Sequence, residues 1–120
     1  MTSTLQVQIS HSQDTVLVKL IGEARLDLED AAFQLDRVIV HRPKIIIVDA
    51  AELTFISSIG MSLLINLRRT ALKSGGAIKL AALQPRVRDA MAHAHLLELF
   101  QIFPDLPSAL APAAPTAQSA

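Results

Sequence analysis

The run Lys44-Ile-Ile-Ile-Val-Asp49, followed by Ser57-Ser58 and a long apolar helical pattern, constrains the fold most tightly. Its residues are β-branched and apolar on both sides, which suits a central parallel strand covered on both faces. The two serines stand where the chain reverses from that strand into the helix. A serine at this place accepts hydrogen bonds from the first unpaired backbone N–H groups of the helix and so caps it. The same N–H groups, with the partial positive charge of the helix start, also favour an anion placed on that oxygen. The position is a good cap and a good seat for a phosphate, and the residues leave both open.

The flanking sequence repeats the strand–helix alternation. Leu5, Val7 and Ile9 alternate with polar residues, His11 to Asp14 supply turn chemistry, and Thr15 to Ile21 reads as a second strand, which predicts a hairpin. Val16, Val18 and Leu20 share one face, with Lys19 on the other. Gly22 to Leu26 leaves that strand for a helix capped by Asp27, with Asp30 three residues on. Leu28, Ala31, Ala32, Leu35 and Ile39 mark its apolar face, and Arg42-Pro43 stops it. The helix after Ser58 reaches about Lys73 and ends at Ser74-Gly75-Gly76. Ala77 to Ala82 is a further strand, Pro85 opens a third helix, Phe100 to Phe103 forms a last strand, and Asp105 to Leu110 forms a brief helix. The expected class is α/β, a mixed and mainly parallel sheet with an N-terminal hairpin and about four helices. Residues 1–110 are expected to form a single domain, and residues 111–120, rich in proline and small side chains, a disordered tail.

On the helix after the serines, successive residues turn by ~100°. Ile59, Leu63, Leu64, Leu67 and Ala71 then form the sheet-facing side, while Ser62, Asn66, Arg69 and Lys73 meet water. Met61, Ile65 and Leu72 make a second apolar stripe beginning within a turn of Ser58. It is either a rim of the core or an exposed contact patch beside the serines.

Charge and composition narrow the function classes. Eleven basic residues balance eleven acidic ones, so the basic stripe of a nucleic-acid binder is missing. A chain with 51% hydrophobic and 18% charged residues should fold. It has no cysteine for disulfide or thiolate chemistry, no signal-peptide pattern at its start and no run of ~20 apolar residues. The expectation is a cytoplasmic chain with no direct nucleic-acid or membrane partner. A hydrolase elbow needs Gly-x-Ser-x-Gly, and Ile56-Ser-Ser-Ile-Gly60 lacks the first glycine. His93 or His95 could be named as a base and Asp105 as its orienter, but their spacing does not demand it. His93 and His95 also face different directions on a helix, and adding His41 or His11 completes no metal set. Gly75-Gly76 is no phosphate loop, and Arg86 and Arg88 read as solvated. The chain is expected not to be an enzyme and to carry no cofactor.

Asp49, Leu53, Phe55, Ile56, Ser58, Gly60 and Leu63-Leu64 resemble the signature of the STAS domain, the fold of bacterial anti-sigma factor antagonists. Gly22, Gly75-Gly76, Pro85-x-Val87 and Leu96-x-x-Leu99-Phe100 extend the likeness over roughly residues 5–110. The resemblance implies a switch protein that binds a serine kinase doubling as an anti-sigma factor. Phosphorylation of Ser58 releases it, and a PP2C-type phosphatase resets it. Ser57 takes the place of the usual acid and is the less favoured acceptor, and Ile59 takes the place of a second serine. Ala24-Arg25 stands where relatives carry an acid, so Arg25 either pairs with a phosphate on Ser58 or marks a changed partner surface. Partner contacts are expected from Arg25, Met61, Ser62 and Ile65. The alternatives are a STAS scaffold that is never phosphorylated, with Ser58 serving only as a helix cap, and a module binding a nucleotide or anion at the same helix start.

Overall fold

The computed structural model describes residues 5–40 and 42–111, without the side chains of residues 39 and 40. The chain runs β1 (Leu5–Ser12), β2 (Thr15–Ala24), α1 (Glu29–Val40), β3 (Ile45–Ile56), α2 (Ser58–Lys73), β4 (Ala77–Ala81), α3 (Pro85–His93), a 3-10 turn (Leu97–Leu99), β5 (Gln101–Phe103) and α4 (Leu106–Leu110). The five strands form one sheet in sequence order, β1-β2-β3-β4-β5. The β1–β2 hairpin is antiparallel and every later pairing is parallel, as the strand–helix–strand pattern predicts.

β2 and β3 outrun their expected ends. Lys19 pairs with Asp49 and Ile21 with Glu52; further on, Gly22 pairs with Leu53 and Glu23 with Phe55. In each interval β3 carries one residue more than β2, so it is bulged twice and bends as it twists. Gly22, at φ 106°, adopts a backbone conformation open to glycine beside the second bulge. β2 therefore continues through Gly22 to Ala24 rather than ending at Ile21, and β3 continues past Asp49 to Ile56. Asp49, 7% exposed, sits inside the strand because its Oδ1 accepts the Ala51 N–H at 3.1 Å, within the first bulge. β4 pairs with β3 only as far as Asp49–Ala81. Beyond that point the Gln84 side chain reaches β3, donating from Nε2 to the Ala51 carbonyl at 2.7 Å.

The two faces of the sheet are covered unequally. On one, Val16, Val18, Leu20, Ile46, Val48 and Leu80 pack with Leu28, Leu35 and Val38 of α1, Leu64 and Leu67 of α2, and Val87 and Met91 of α3. On the other, Ile47 and Ala81 are covered by Ala109 of α4, with Leu17, Ile45, Phe103 and Leu106 around them. Lys79 closes that side, its Nζ donating to the Ala109 carbonyl at 3.0 Å while lying 5.2 Å from the Phe103 ring centre. α4 itself starts at Asp105, whose carboxylate accepts the Ser108 N–H at 2.8 Å.

α1 starts one residue later than a cap at Asp27 requires. Its first bond runs from Ala32 N–H to the Leu28 carbonyl at 2.8 Å, which makes Leu28 the cap residue and lets its side chain enter the core. The expectations for the side chain of Ile39, for His41 and for the tail from residue 112 lie outside the described residues.

Candidate functional site

The ends of β2 and β3 are tied together where α2 begins. Thr54 Oγ1 donates to the Gly22 carbonyl at 3.1 Å, and Ser57 N–H donates to the Ala24 carbonyl at 2.7 Å. Ser57 is extended, at φ −91° and ψ 175°, and its Oγ accepts the Gly60 N–H at 3.2 Å while donating its own proton to the Arg25 carbonyl. Ser57 is thus the cap of α2. Ser58 is the first helical residue, exposed to solvent, with its backbone carbonyl accepting the Ser62 hydroxyl at 3.1 Å. The cap and the exposed hydroxyl belong to two different serines.

Gly60 fixes which face of α2 meets the sheet. A Cβ there would lie 2.8 Å from Ile56 Cγ1 and 2.9 Å from Ala24 Cβ, so only glycine admits this approach. The buried row is Gly60, Leu64, Leu67 and Ala71. Ile59 therefore turns away from the sheet and stays 43% exposed, against the expectation that it faces the core. Leu63 is half-buried at the edge of that row. Met61 and Ile65 are also half-buried and pack at the margin of the core, while Leu72, the far end of their stripe, is 51% exposed.

Arg25 lies beside this helix start. Its Nε and Nη2 donate to the two carboxylate oxygens of Glu23 at 2.8 and 3.0 Å, and its guanidinium carbon stands 4.8 Å from the Phe55 ring centre. The hydrogen-bonded guanidinium holds the Glu23 carboxyl below the usual carboxylate range, desolvation opposes this, and the nearby positive charge of Arg86 adds to the lowering. The same hydrogen bonding raises Arg25 further above its already high value. Lys19, lower on β2, is raised in the same way by its 2.9 Å pair with Glu52.

The structure adds Leu26, which the sequence did not single out, to this end of the molecule, and brings Ile59 to its surface. Leu26, 74% exposed, follows Arg25, and exposed Ile59 follows Ser58. With Phe55 under Arg25, they give the helix start an apolar border. The one signal for Leu26 was a leucine in a polar loop outside any periodic pattern. The other constellations stay apart from this site. His93 and His95 are exposed, with His93 Nδ1 3.1 Å from the Asp89 carbonyl, and Asp105 is engaged as the cap of α4. Arg86 and Arg88 are exposed. Among the described residues no group of three acidic, histidine or cysteine side chains is placed to hold a metal, and no helix is long and apolar enough to cross a membrane.

Comparison of this geometry with solved structures finds the same fold in several proteins. An anti-sigma factor antagonist from Mycobacterium paratuberculosis is similar with a TM-score of 0.79 and 20% identity, over 88% of this chain and 91% of that one. A putative anti-sigma factor antagonist from Thermotoga maritima is similar with a TM-score of 0.72 and 18% identity, over 87% and 91%. The Bacillus cell-fate determinant SpoIIAA in its phosphorylated form is similar with a TM-score of 0.64 and 19% identity, over 95% and 96%. Curated proteins compared by sequence give no match. The model of the STAS domain matches residues 6–109, and the chain belongs to that family.

Proposed function

We propose that this chain is a partner-switching protein of the anti-sigma factor antagonist type, with Ser58 as its phosphoacceptor. The observation that carries the reading is the division of labour between the serines. Ser57 is occupied as cap and tether, whereas Ser58 presents its side chain to solvent on the first turn of α2. A phosphate on Ser58 leaves the cap intact, and the positive end of the helix favours it. A phosphate on Ser57 would remove the proton given to Arg25 and crowd the bond from Gly60.

In the proposed cycle the unmodified chain binds a serine kinase that doubles as an anti-sigma factor, and the sigma factor is released. The kinase transfers a phosphoryl group from ATP to Ser58 Oγ and the complex parts. A PP2C-type phosphatase hydrolyses the ester and resets the chain, all in the cytoplasm. The chemistry belongs to those partners; this chain contributes a hydroxyl and a surface. That surface is Met61 and Ile65 with exposed Ile59 and Leu26, bordered by Arg25 and Ser62. A phosphate brings about −1.5 to −2 charges at neutral pH. Closing an apolar interface over it without a paired cation costs several kcal/mol, on the order of what parts two proteins. The existence of a related fold solved in phosphorylated and unphosphorylated forms supports this reading.

The test is incubation with the candidate kinase and ATP, followed by peptide mass spectrometry and binding measurements. Phosphate is expected on Ser58 and absent from Ser58→Ala, with Ser58→Asp binding the kinase more weakly than Ser58→Ala. Equal affinity of the two variants, or a kinase that binds and leaves Ser58 unmodified, would overturn the switch.

A further inference from the structure

We infer that Arg25 reads the state of Ser58: its guanidinium, paired with Glu23 while the serine is neutral, transfers to the phosphate once Ser58 is modified. The inference rests on the phosphoacceptor reading above and adds the residue that answers the modification. Three features of Arg25 lead to it. Its backbone carbonyl receives the Ser57 hydroxyl, so it is anchored one residue from the acceptor, across a Cα–Cα step of ~3.8 Å. Its side chain is exposed and held by a half-buried carboxylate at the surface, so it is able to move without unpacking the core. It also lies over Phe55, a ring one residue before Ile56 on the same strand end, which offers a planar support over which a guanidinium shifts while keeping its cation–π contact.

The direction of the exchange follows from charge and geometry. Carboxylate and phosphate both accept the two-pronged donation of arginine, but the phosphate carries nearly twice the charge of Glu23. The helix start alone is a solvated and weak anion site, and a neighbouring guanidinium supplies the charge-assisted bonds it lacks. Glu23 is not stranded by the loss, since its side chain is partly open to water and remains in the field of Arg86. Phosphorylation then alters two things on the docking surface at once. A dianion appears at Ser58, and the Glu23 carboxylate loses the guanidinium that neutralises it. Both changes add negative character to the same border.

The experiment uses the full chain with phosphoserine installed at position 58 during translation, so no kinase is required. Phosphorus NMR follows the second ionisation of the phosphate against pH in this protein and in the same protein carrying Arg25→Gln, Arg25→Lys or Glu23→Gln. With Arg25 present the phosphate is expected to titrate about half a pH unit or more below the Arg25→Gln form. Arg25→Lys should fall between them, and Glu23→Gln, which removes the competitor, at or below the unaltered chain. Arg25→Gln keeps the backbone carbonyl that Ser57 uses, so its thermal unfolding should match the parent and isolate the charge effect. Coincident titration with and without Arg25 would overturn the inference. That result is independent of the kinase mapping. An Arg25-dependent shift in a chain that no kinase modifies would sink the switch and leave the geometry standing, and the converse result would do the reverse.

Discussion

Ser57 Oγ serves two backbone groups, accepting the Gly60 N–H and donating to the Arg25 carbonyl, and an alanine leaves both without it. Ser57→Ala is therefore expected to destabilise the chain by about 1 kcal/mol, and up to about 2 because the tether to Arg25 goes with the cap. Ser58→Ala removes an exposed hydroxyl and should change stability by less than ~0.5 kcal/mol. Chemical denaturation of the two variants side by side checks the assignment, and equal losses would mean that Ser58 shares the capping role. The sequence makes a serine cap legible here but not which serine provides it, because either side chain satisfies a helix start. The decision comes from the extended backbone of Ser57, which depends on how far β3 runs before it turns. Asp27 failed as a cap for a related reason. The core takes in Leu28, and the helix starts where that side chain is buried.

Helix α2 shows how a small residue sets the register of an element. Because Gly60 lies against Ile56 and Ala24, the helix turns Leu64, Leu67 and Ala71 inward and Ile59 outward. Gly60→Ala must push Ala24 or Ile56 aside, and neither contact is the far end of a flexible side chain. A loss of about 1–3 kcal/mol is expected, as for overpacking elsewhere, although alanine is the better helix former. Unchanged stability by thermal or chemical unfolding would show that α2 is able to lift from the strand ends. Periodicity gave the length of this helix and most of its inward face, and it misplaced Ile59 because a glycine carries no apolar signal. The strands show the same limit. Alternation reads only as far as a bulge, and β3 is bulged on both sides of Glu52, so its second half was not legible. Short α4 was legible from Asp105, and it makes a pH prediction. The Ser108 hydroxyl and N–H hold the Asp105 carboxyl below the usual carboxylate range. A carboxyl lowered by folding stabilises at pH above its unfolded value, and that contribution disappears as pH falls through the lowered one. Amide signals of α4 should thus stay native through the ordinary carboxylate range and fray below it, while Asp105→Asn, a cap that does not titrate there, should keep them native further into acid. Fraying at the same pH in both would assign the acid sensitivity to other groups.

At the scale of the whole molecule, the asymmetry of the two sheet faces argues that the proposed switch is a surface event. Three helices close one side of the sheet around a continuous core, and the start of α2 lies at the strand ends rather than inside that core. Basic and acidic residues balance, so an added dianion meets no large field of its own sign, and Arg25 beside the helix start carries a charge paired with Glu23. The chain phosphorylated on Ser58, and its Ser58→Asp analogue, should therefore unfold within about 1 kcal/mol of the unmodified protein, on the stabilised side at low salt. That gain should shrink as salt is raised from 0.01 M to about 1 M, since the interaction lies at a solvated end and is screened. Ser58→Lys should move stability the opposite way by a similar amount. Thermal unfolding of the four proteins across a salt series provides the check. If phosphorylation removed more than about 2 kcal/mol, the modification would be melting the first turn of α2, and the switch would work by local unfolding. Near-equal stabilities, with partner affinity still lost, place the whole effect in the interface.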